Sequence, residues 1–271
     1  MENYWQNLHK NRELSGLQVV CCPELPLICN EVLHSQHKAA FNKLLCAYKH
    51  NGKDLKALDV GCGFGRWCAE YEKKGISAYG IDIGGSSYIK ASATKIPFRD
   101  KIFDIVSTVT VLQHLDKTSQ EAALSEIDRV SIKGSALLLM EHVCDVPGKV
   151  WEGVFPRTEG EWVSALENMG YFIKQKIYFQ YTPIMTTAIK SFNIIEKLRK
   201  GNRKAVQSEN KVDGKNRSAI RTSLRLRFYR KIKAFTLSVA AASDYLITGR
   251  GQFKKGSHLG LLAVKIDSIK D

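Results

Sequence analysis

The sequence predicts an α/β fold, a mostly parallel sheet covered by helices on both faces, and three observations support it. Short apolar runs alternate with segments whose apolar residues recur every three or four positions, the order typical of a parallel sheet. Two of the runs, at 103–112 and 135–143, are apolar with few interruptions, as in strands buried on both faces. The chain has 271 residues, of which 44% are hydrophobic, so it can bury such a core.

The same patterns place each element along the chain. Strands are expected at 56–60, 77–82, 103–112, 135–143, 171–179 and 258–266. Helices are expected at 28–49, 66–75, 119–132 and 158–170. Ser119 is the expected N-terminal cap of the third helix, and Thr158 with Glu161 forms a capping box at the start of the fourth. The last two strands are expected to pair as an antiparallel hairpin.

The positive charge of the chain is confined to one segment. The formal net charge is +14, and residues 186–256 contain 18 Lys or Arg against 4 Asp or Glu, which accounts for all of it. Residues 1–185 carry 21 of each sign. Any acidic partner would therefore be bound by this segment.

The basic segment is too long for a hairpin loop and is predicted to be a helical insertion before the last strand. Its second half, 218–242, predicts a basic amphipathic helix, and 199–217 is expected to be mobile. The apolar stripe of that helix comprises Ile220, Leu224, Phe228, Ile232, Phe235 and Val239. The predicted domains are an N-terminal helical cap at 1–55, a core at 56–185, the basic insertion at 186–256 and a final core strand at 257–271.

Three interpretations of the basic helix stay open. It is a lid whose apolar stripe caps a pocket, a surface for an anionic membrane or a lipid-linked anionic acceptor, or a binding site for nucleic acid. A transmembrane span is not expected, because the best apolar run, Ala234 to Ile247, is short and contains Asp244.

Seven cysteines show no paired metal-ligand spacing, and no signal segment opens the chain. The sequence therefore predicts no metal site and a cytoplasmic protein with reduced cysteines, peripheral at the membrane if the second interpretation holds.

The stretch LDVGCGFGRW, at 58–67, carries three closely spaced glycines that indicate a close backbone approach to a ligand. The dinucleotide fingerprint needs its third glycine one position later, where this chain has Arg66. Asp82 lies 17 residues past Gly65, at the end of the second strand, where a carboxylate can accept hydrogen bonds from ribose hydroxyls. A nucleoside without a pyrophosphate fits both observations.

Four motifs together resemble class I methyltransferases that use S-adenosylmethionine, of the small-molecule type. They are LDVGCGFGRW, YGID, ATKIPFRDKIFDIVSTVTVLQHL and EIDRVSIKGSALLLMEHV, and the resemblance covers roughly 55–180 and the final strand. It implies a Rossmann-like sheet of seven strands, with the last strand antiparallel and S-adenosylmethionine lying across the carboxyl ends of the first strands. The implied cofactor contacts are Asp59, Gly61, Cys62, Gly63 and Gly65 around the methionine part, Asp82 at the ribose, Ile83 at the adenine, and Gln113 and His114 near the sulfonium.

Two features depart from that family pattern. Ser92 replaces the usual acidic residue that contacts the adenine amino group, so that Ser92 or the backbone of Ala93 is expected to bond the adenine. Only nine residues, 83–91, separate Asp82 from this stretch, too few for the customary helix and next strand.

The resemblance implies methyl transfer to a small-molecule or lipid- or glycan-linked acceptor, and we expect the acceptor atom to be oxygen. His114 and His142 are the candidate general bases, and Glu141 either orients an acceptor or caps a neighbouring backbone group. Five aromatic residues that follow the expected strand at 135–143 form either part of the core or an acceptor pocket: Trp151, Phe155, Trp162, Phe179 and Tyr181. The alternatives are an RNA methyltransferase that uses the basic insertion, and an inactive protein that binds S-adenosylmethionine.

Overall fold

The structure is a computed structural model, and its description covers part of the chain. The described residues are 16–49, 54–84, 89–145, 153–180, 182–195, 217–248 and 257–266. Trp151, Tyr181 and the segment 199–216 lie outside them, as do the side chains of Ile220 and Leu224.

The described residues form one seven-stranded sheet in the order β3-β2-β1-β4-β5-β7-β6. Its strands are β1 Lys56–Val60, β2 Ser77–Asp82, β3 Ile89–Lys90, β4 Phe103–Val109, β5 Ser131–His142, β6 Tyr171–Phe179 and β7 His258–Lys265. The first five run parallel, and β7 lies between β5 and β6, antiparallel to both. The mostly parallel sheet with an antiparallel last strand is confirmed. The expected antiparallel pairing of the last two strands is confirmed, and β7 also pairs with β5 on its other side.

Helices cover both faces of this sheet. They are α1 Leu17–Val20, α2 Leu27–Ala47, α3 Arg66–Glu72, α4 Lys117–Val130, α5 Glu159–Asn168, α6 at 183–195 and α7 Arg217–Thr248. On one face, Leu124 of α4 and Trp162 of α5 are buried against the sheet. On the other, Phe41 of α2 and Trp67 of α3 stack with ring centroids 4.7 Å apart. Both faces of the sheet are covered by closely packed apolar side chains. The polar side chains that could take part in a reaction therefore lie at the end of the sheet.

Two helix caps were expected from the sequence, and one of them was wrong. Thr158 and Glu161 form the capping box at the start of α5. The cap of α4 is Asp116, whose carboxylate accepts a hydrogen bond from the backbone N–H of Ser119 at 2.8 Å. Asp116 is preferred because a carboxylate also interacts favourably with the positive end of the helix dipole.

The short connection after β2 still contains a strand. Strand β3 has two residues and pairs in parallel with the end of β2, Ile81 opposite Ile89 and Asp82 opposite Lys90. The expectation that the nine residues leave no room for the next strand was therefore wrong, because a two-residue edge strand lies within them.

The long helix α7 packs on α2 and α6 rather than on the sheet. Its buried residues Leu237, Ala240 and Ala241 contact a cluster that includes Cys29 and Met185. Among the described residues, no helix is both long enough and apolar enough to cross a membrane.

Candidate active site

The candidate site lies where the parallel strands end. Asp59 is near the end of β1, Asp82 ends β2, and Glu141 with His142 ends β5. The chain after β4 forms a 3-10 turn, Leu112–His114, beside them. The carboxyl ends of parallel strands are where open α/β sheets bind their ligands.

The glycine turn depends on glycine at each of its three positions. Gly61, Gly63 and Gly65 have φ angles of +75°, +56° and +83°, in the left-handed region that side chains rarely adopt. A Cβ at Gly61 would lie 2.3 Å from Val111, and one at Gly63 would lie 2.6 Å from Val20. These close approaches come from the protein itself, since the turn is held between α1 and the segment after β4.

Asp82 connects the glycine turn with the chain after β2. Its carboxylate accepts hydrogen bonds from the backbone N–H of Gly63 at 2.9 Å and of Gly84 at 2.7 Å. These bonds orient the carboxylate and are compatible with ribose hydroxyls as further donors, because a carboxylate has about four acceptor positions. Ile83 follows directly and is half-buried, as a side chain flanking an adenine would be.

Asp59 is a buried carboxylate with one unused oxygen. Its Oδ1 accepts a hydrogen bond from the hydroxyl of Ser107 at 2.8 Å, whereas Oδ2 has no hydrogen-bond partner in the described part of the chain. Burial raises the pKa of Asp59 from 3.8 to about 7. A cationic donor would satisfy Oδ2 and favour the ionised form. The amino group of a methionine tail is such a donor, so the residues fit S-adenosylmethionine.

The remaining predicted cofactor residues are close to this turn or to the edge strand. Cys62 is buried inside the glycine turn, and burial raises the pKa of its thiol, so it packs as a neutral side chain. Ser92 and Ala93 lie after β3, and the Ser92 hydroxyl is 2.9 Å from that of Thr94. Ser92 is only half-buried, which leaves it on the open side of the site.

Glu141 organises the backbone of the turn after β4. Its carboxylate accepts hydrogen bonds from the hydroxyl of Thr108 at 2.8 Å and from the backbone N–H groups of Val111, Leu112 and Gln113 at 3.2, 3.1 and 3.1 Å. Burial raises its pKa to about 7 in spite of these bonds. Of the two roles expected for Glu141, the structure supports the backbone cap.

Gln113 joins the turn to the end of β5. Its side-chain oxygen accepts a hydrogen bond from the backbone N–H of His142 at 2.8 Å, and its amide nitrogen donates to Nε2 of His114 at 3.3 Å. Nδ1 of His114 donates to the carbonyl of Gly153 at 3.0 Å. Both predicted residues are therefore held in place by neighbouring backbone, and Gln113 is buried.

His142 is one of four histidines that lie together beyond the end of β5. This histidine cluster comprises His37 of α2, His114, His142 and His258 of β7. The ring of His258 is 5.1 Å from that of His142 and 5.7 Å from that of His37. Burial lowers the pKa of all four residues, to about 3 for His37. The cluster is therefore neutral at pH 7.

Each ring of the cluster is fixed by a specific hydrogen bond. Nδ1 of His142 donates to the carbonyl of Ser257 at 2.6 Å, so in the neutral ring the lone pair is on Nε2. Nε2 of His37 lies 2.8 Å from the side-chain oxygen of Gln180. Nδ1 of His37 has no hydrogen-bond partner among the residues that the structure describes. In that same part of the chain, no three His, Cys, Asp or Glu side chains converge as metal ligands would.

The sequence pattern did not indicate that His37 and His258 lie at the candidate site. His258 is the first residue of β7 and lies directly opposite His142 of β5. Placing the last strand between β5 and β6 would have indicated this pairing. Of the five aromatic residues considered for an acceptor pocket, Phe179 packs edge-on against His37 at 5.2 Å. Trp162 belongs to the core.

Comparison with known proteins shows a similarity to methyltransferases. Residues 58–139 match a family model described as a methyltransferase domain. Norajmaline N-methyltransferase from Rauvolfia serpentina is 25% identical over 109 residues, which cover 33% of this chain and 37% of that protein. The chain thus spans little more than a third of that relative.

A solved structure supports the fold. A SAM-dependent methyltransferase from Archaeoglobus fulgidus is 16% identical, with a TM-score of 0.51, over 84% of this chain and 93% of the other. A more distant likeness, with a TM-score of 0.45 and 14% identity over 61% and 84% of the two chains, is to 1,6-didemethyltoxoflavin-N1-methyltransferase from Burkholderia thailandensis. The segment 58–139, which contains the glycine turn and Asp82, is therefore similar to a methyltransferase domain, and S-adenosylmethionine is the cofactor that this similarity supports.

Proposed function

We propose that this protein methylates a hydroxyl group of a small-molecule acceptor, with His142 as the proton acceptor. The observation that carries the proposal is the position of His142. It ends β5 within the histidine cluster, and its Nδ1 is committed to the carbonyl of Ser257. The basic nitrogen is then Nε2, in a ring that burial keeps neutral.

The site has a donor end, where S-adenosylmethionine would bind, and an acceptor end, where the hydroxyl group would bind. When bound, S-adenosylmethionine supplies a methyl group on positively charged sulfur, which an acceptor oxygen can displace without further activation of the methyl carbon. Asp59 and Asp82 hold the two ends of the donor, and Gln113 fixes the turn between donor and acceptor. His142 takes the hydroxyl proton on Nε2 as the new carbon–oxygen bond forms, and the carbon–sulfur electron pair stays on sulfur. Most of the rate comes from holding the reactants in line.

His142 is preferred over His114, the other candidate base. Nε2 of His114 accepts a hydrogen bond from the amide of Gln113, whereas its Nδ1 donates to Gly153. Both ring nitrogens of His114 are therefore committed to the protein, which is the pattern of a positioning residue.

Turnover of a set of phenols, alcohols and amines with methyl-labelled S-adenosylmethionine tests the proposal. For the best hydroxyl acceptor, we expect His142→Gln to lower kcat by about 100-fold or more, without a change in S-adenosylhomocysteine affinity. As the pH is lowered, kcat of the parent protein should begin to fall only below pH 6.5, because burial lowers the pKa of His142.

His114→Gln is the matched comparison, for which about a tenfold loss is expected because Gln113 loses one partner. Amine turnover that is insensitive to His142→Gln would contradict the proposal in favour of N-methylation, the reaction for which the Rauvolfia relative is named.

A further inference from the structure

Helix α7 is apolar on two opposite faces, and only one of them is buried. The inner face, with Leu237, Ala240 and Ala241, packs on α2 and α6. The outer face presents five large apolar side chains to solvent: Phe228, Ile232, Phe235, Val239 and Leu246. At 100° per residue, these five lie within about 60° of arc, on the side of the helix opposite Leu237. We call them the outer stripe.

The inner face fixes the direction in which the outer stripe points. The carboxylate of Asp244 accepts hydrogen bonds from the backbone N–H groups of Ile184 at 3.0 Å and Met185 at 2.7 Å, at the start of α6. The thiol of Cys29 donates to the carbonyl of Leu237 at 3.4 Å. Turning the outer stripe inward would break these contacts, move the Asp244 carboxylate out to solvent and leave the N–H groups of Ile184 and Met185 without their acceptor, which is unfavourable. The lid interpretation requires the stripe to cap a pocket. In this structure the stripe faces solvent, so that requirement is not met.

The outer stripe is unusual in its exposure and its length. Phe228, Phe235 and Leu246 are 67%, 72% and 82% exposed. From Phe228 to Leu246 the stripe runs roughly 27 Å along the helix. Single exposed apolar residues are ordinary on protein surfaces, but a continuous apolar row of this length marks an interaction surface.

One exposed cation flanks the stripe. Lys231 lies about 70° around the helix from the centre of the stripe, whereas Arg230 is exposed on the opposite side of the helix. Both belong to the segment 186–256, which holds the whole net charge of the chain. The partner of this face is therefore both apolar and negatively charged.

We propose that the outer stripe docks on an anionic lipid bilayer, with α7 lying in the plane of the interface. Such a surface accepts apolar side chains below its headgroups and attracts Lys and Arg, so it uses both properties of the helix. Nucleic acid would use the cations and leave Phe228 and Phe235 in water. A second copy of the chain would cover the stripe but bring two basic segments together. The proposal is independent of the methyl acceptor.

Flotation of the full chain with lipid vesicles tests this inference. We expect binding to phosphatidylcholine vesicles containing about a third phosphatidylserine, and little binding to phosphatidylcholine alone. Phe228→Ser with Phe235→Ser should weaken binding by at least about tenfold. Lys231→Glu should weaken it by about tenfold through the loss of attraction, whereas Arg230→Glu, on the far side of the helix, should weaken it less.

Phe172→Ser is the matched control. Phe172 is 59% exposed on β6, outside α7, and its loss should leave binding unchanged. Three results would overturn the inference: equal binding to both kinds of vesicle, binding unaffected by the Phe228 and Phe235 changes, or a concentration-dependent dimer that these changes abolish. Circular dichroism of each variant separates a loss of binding from a loss of fold. Tight, salt-sensitive binding of RNA that is retained by the double Ser variant would also count against it.

Discussion

At the scale of single residues, the buried carboxylate of Asp59 lowers the stability of the free protein and favours the binding of a cationic ligand group. Its carboxylate is buried and bonded on only one oxygen, and burial raises its pKa to about 7. A buried carboxylate that lacks a partner favours the protonated form, which opposes the folded state once the pH exceeds the pKa of the unfolded chain. A positively charged ligand group reverses that penalty. Asp59 is therefore expected to stabilise the complex with such a ligand and to destabilise the free protein.

Replacing Asp59 with asparagine should separate these two effects. The folded-state pKa of Asp59 is raised, so the folded protein binds the extra proton between about pH 4 and pH 7 and loses stability as the pH rises through that window. Urea unfolding should show that the parent loses about 2 kcal/mol more stability from pH 5 to pH 8 than Asp59→Asn does.

The same variant should bind S-adenosylhomocysteine more weakly, because the amide carries no charge to attract the amino group. Parallel stability curves for the two proteins would show that Asp59 does not titrate in this range, and the account of its pKa would fail.

At the scale of elements, the least expected contact is the cap that one helix provides for another. Asp244 lies in the second half of α7 and accepts from the first N–H groups of α6. Helix N-termini leave unsatisfied N–H groups and carry partial positive charge, so a carboxylate there is stabilising. This contact holds α7 against the body of the protein and keeps its outer face in solvent.

Asp244→Ala tests the cap. The change leaves two N–H groups without their acceptor, and we expect a loss of about 2 kcal/mol in the free energy of unfolding. Hydrogen exchange at Ile184 and Met185 should become faster. Asp244→Asn keeps one carbonyl oxygen as an acceptor and should cost less than Asp244→Ala. If Asp244→Ala matches the parent in both measurements, the cap does not hold α6.

The element boundaries also show what sequence patterns can and cannot specify. Strands β1, β2 and β6 begin and end where expected, because a run of strand-forming residues meets a turn signal at each end. Strand β5 begins at Ser131, four residues early, since its start pairs with Phe103 across an irregularity in the register. Asp116 and Ser119 are both good caps, and only the path of the chain decides between them.

At the scale of the whole molecule, the residues expected at the cofactor end of the candidate site could be placed in the fold from the sequence, and those at the acceptor end only in part. Asp59, Asp82 and the glycines are close in sequence to the strands that carry them, and the family pattern preserves their order. The histidine cluster combines distant parts of the chain: His258 meets His142 because β7 lies beside β5, and His37 meets His258 because α2 packs on the sheet. No local pattern contains that information.

The burial of α7 is a second property of the whole molecule. Its periodic large residues form the one apolar stripe that the sequence indicates, but the small residues Ala240 and Ala241 allow closer packing on α2 and α6. The helix therefore docks through its less conspicuous face. Which face of a helix with two apolar sides is buried depends on the neighbouring helices, and the sequence of the helix alone does not specify it.

The central claim, that this chain holds S-adenosylmethionine across the ends of β1 and β2, is tested most directly by calorimetric titration with S-adenosylhomocysteine. Asp104→Ala is the matched control, because Asp104 is also a bonded carboxylate but lies at the opposite end of the sheet, where it accepts from the backbone N–H of Lys56. We expect binding to the parent and to Asp104→Ala with equal affinity, and at least about tenfold weaker binding to Asp82→Ala. No binding to the folded parent, or equal binding to Asp82→Ala, would contradict the claim.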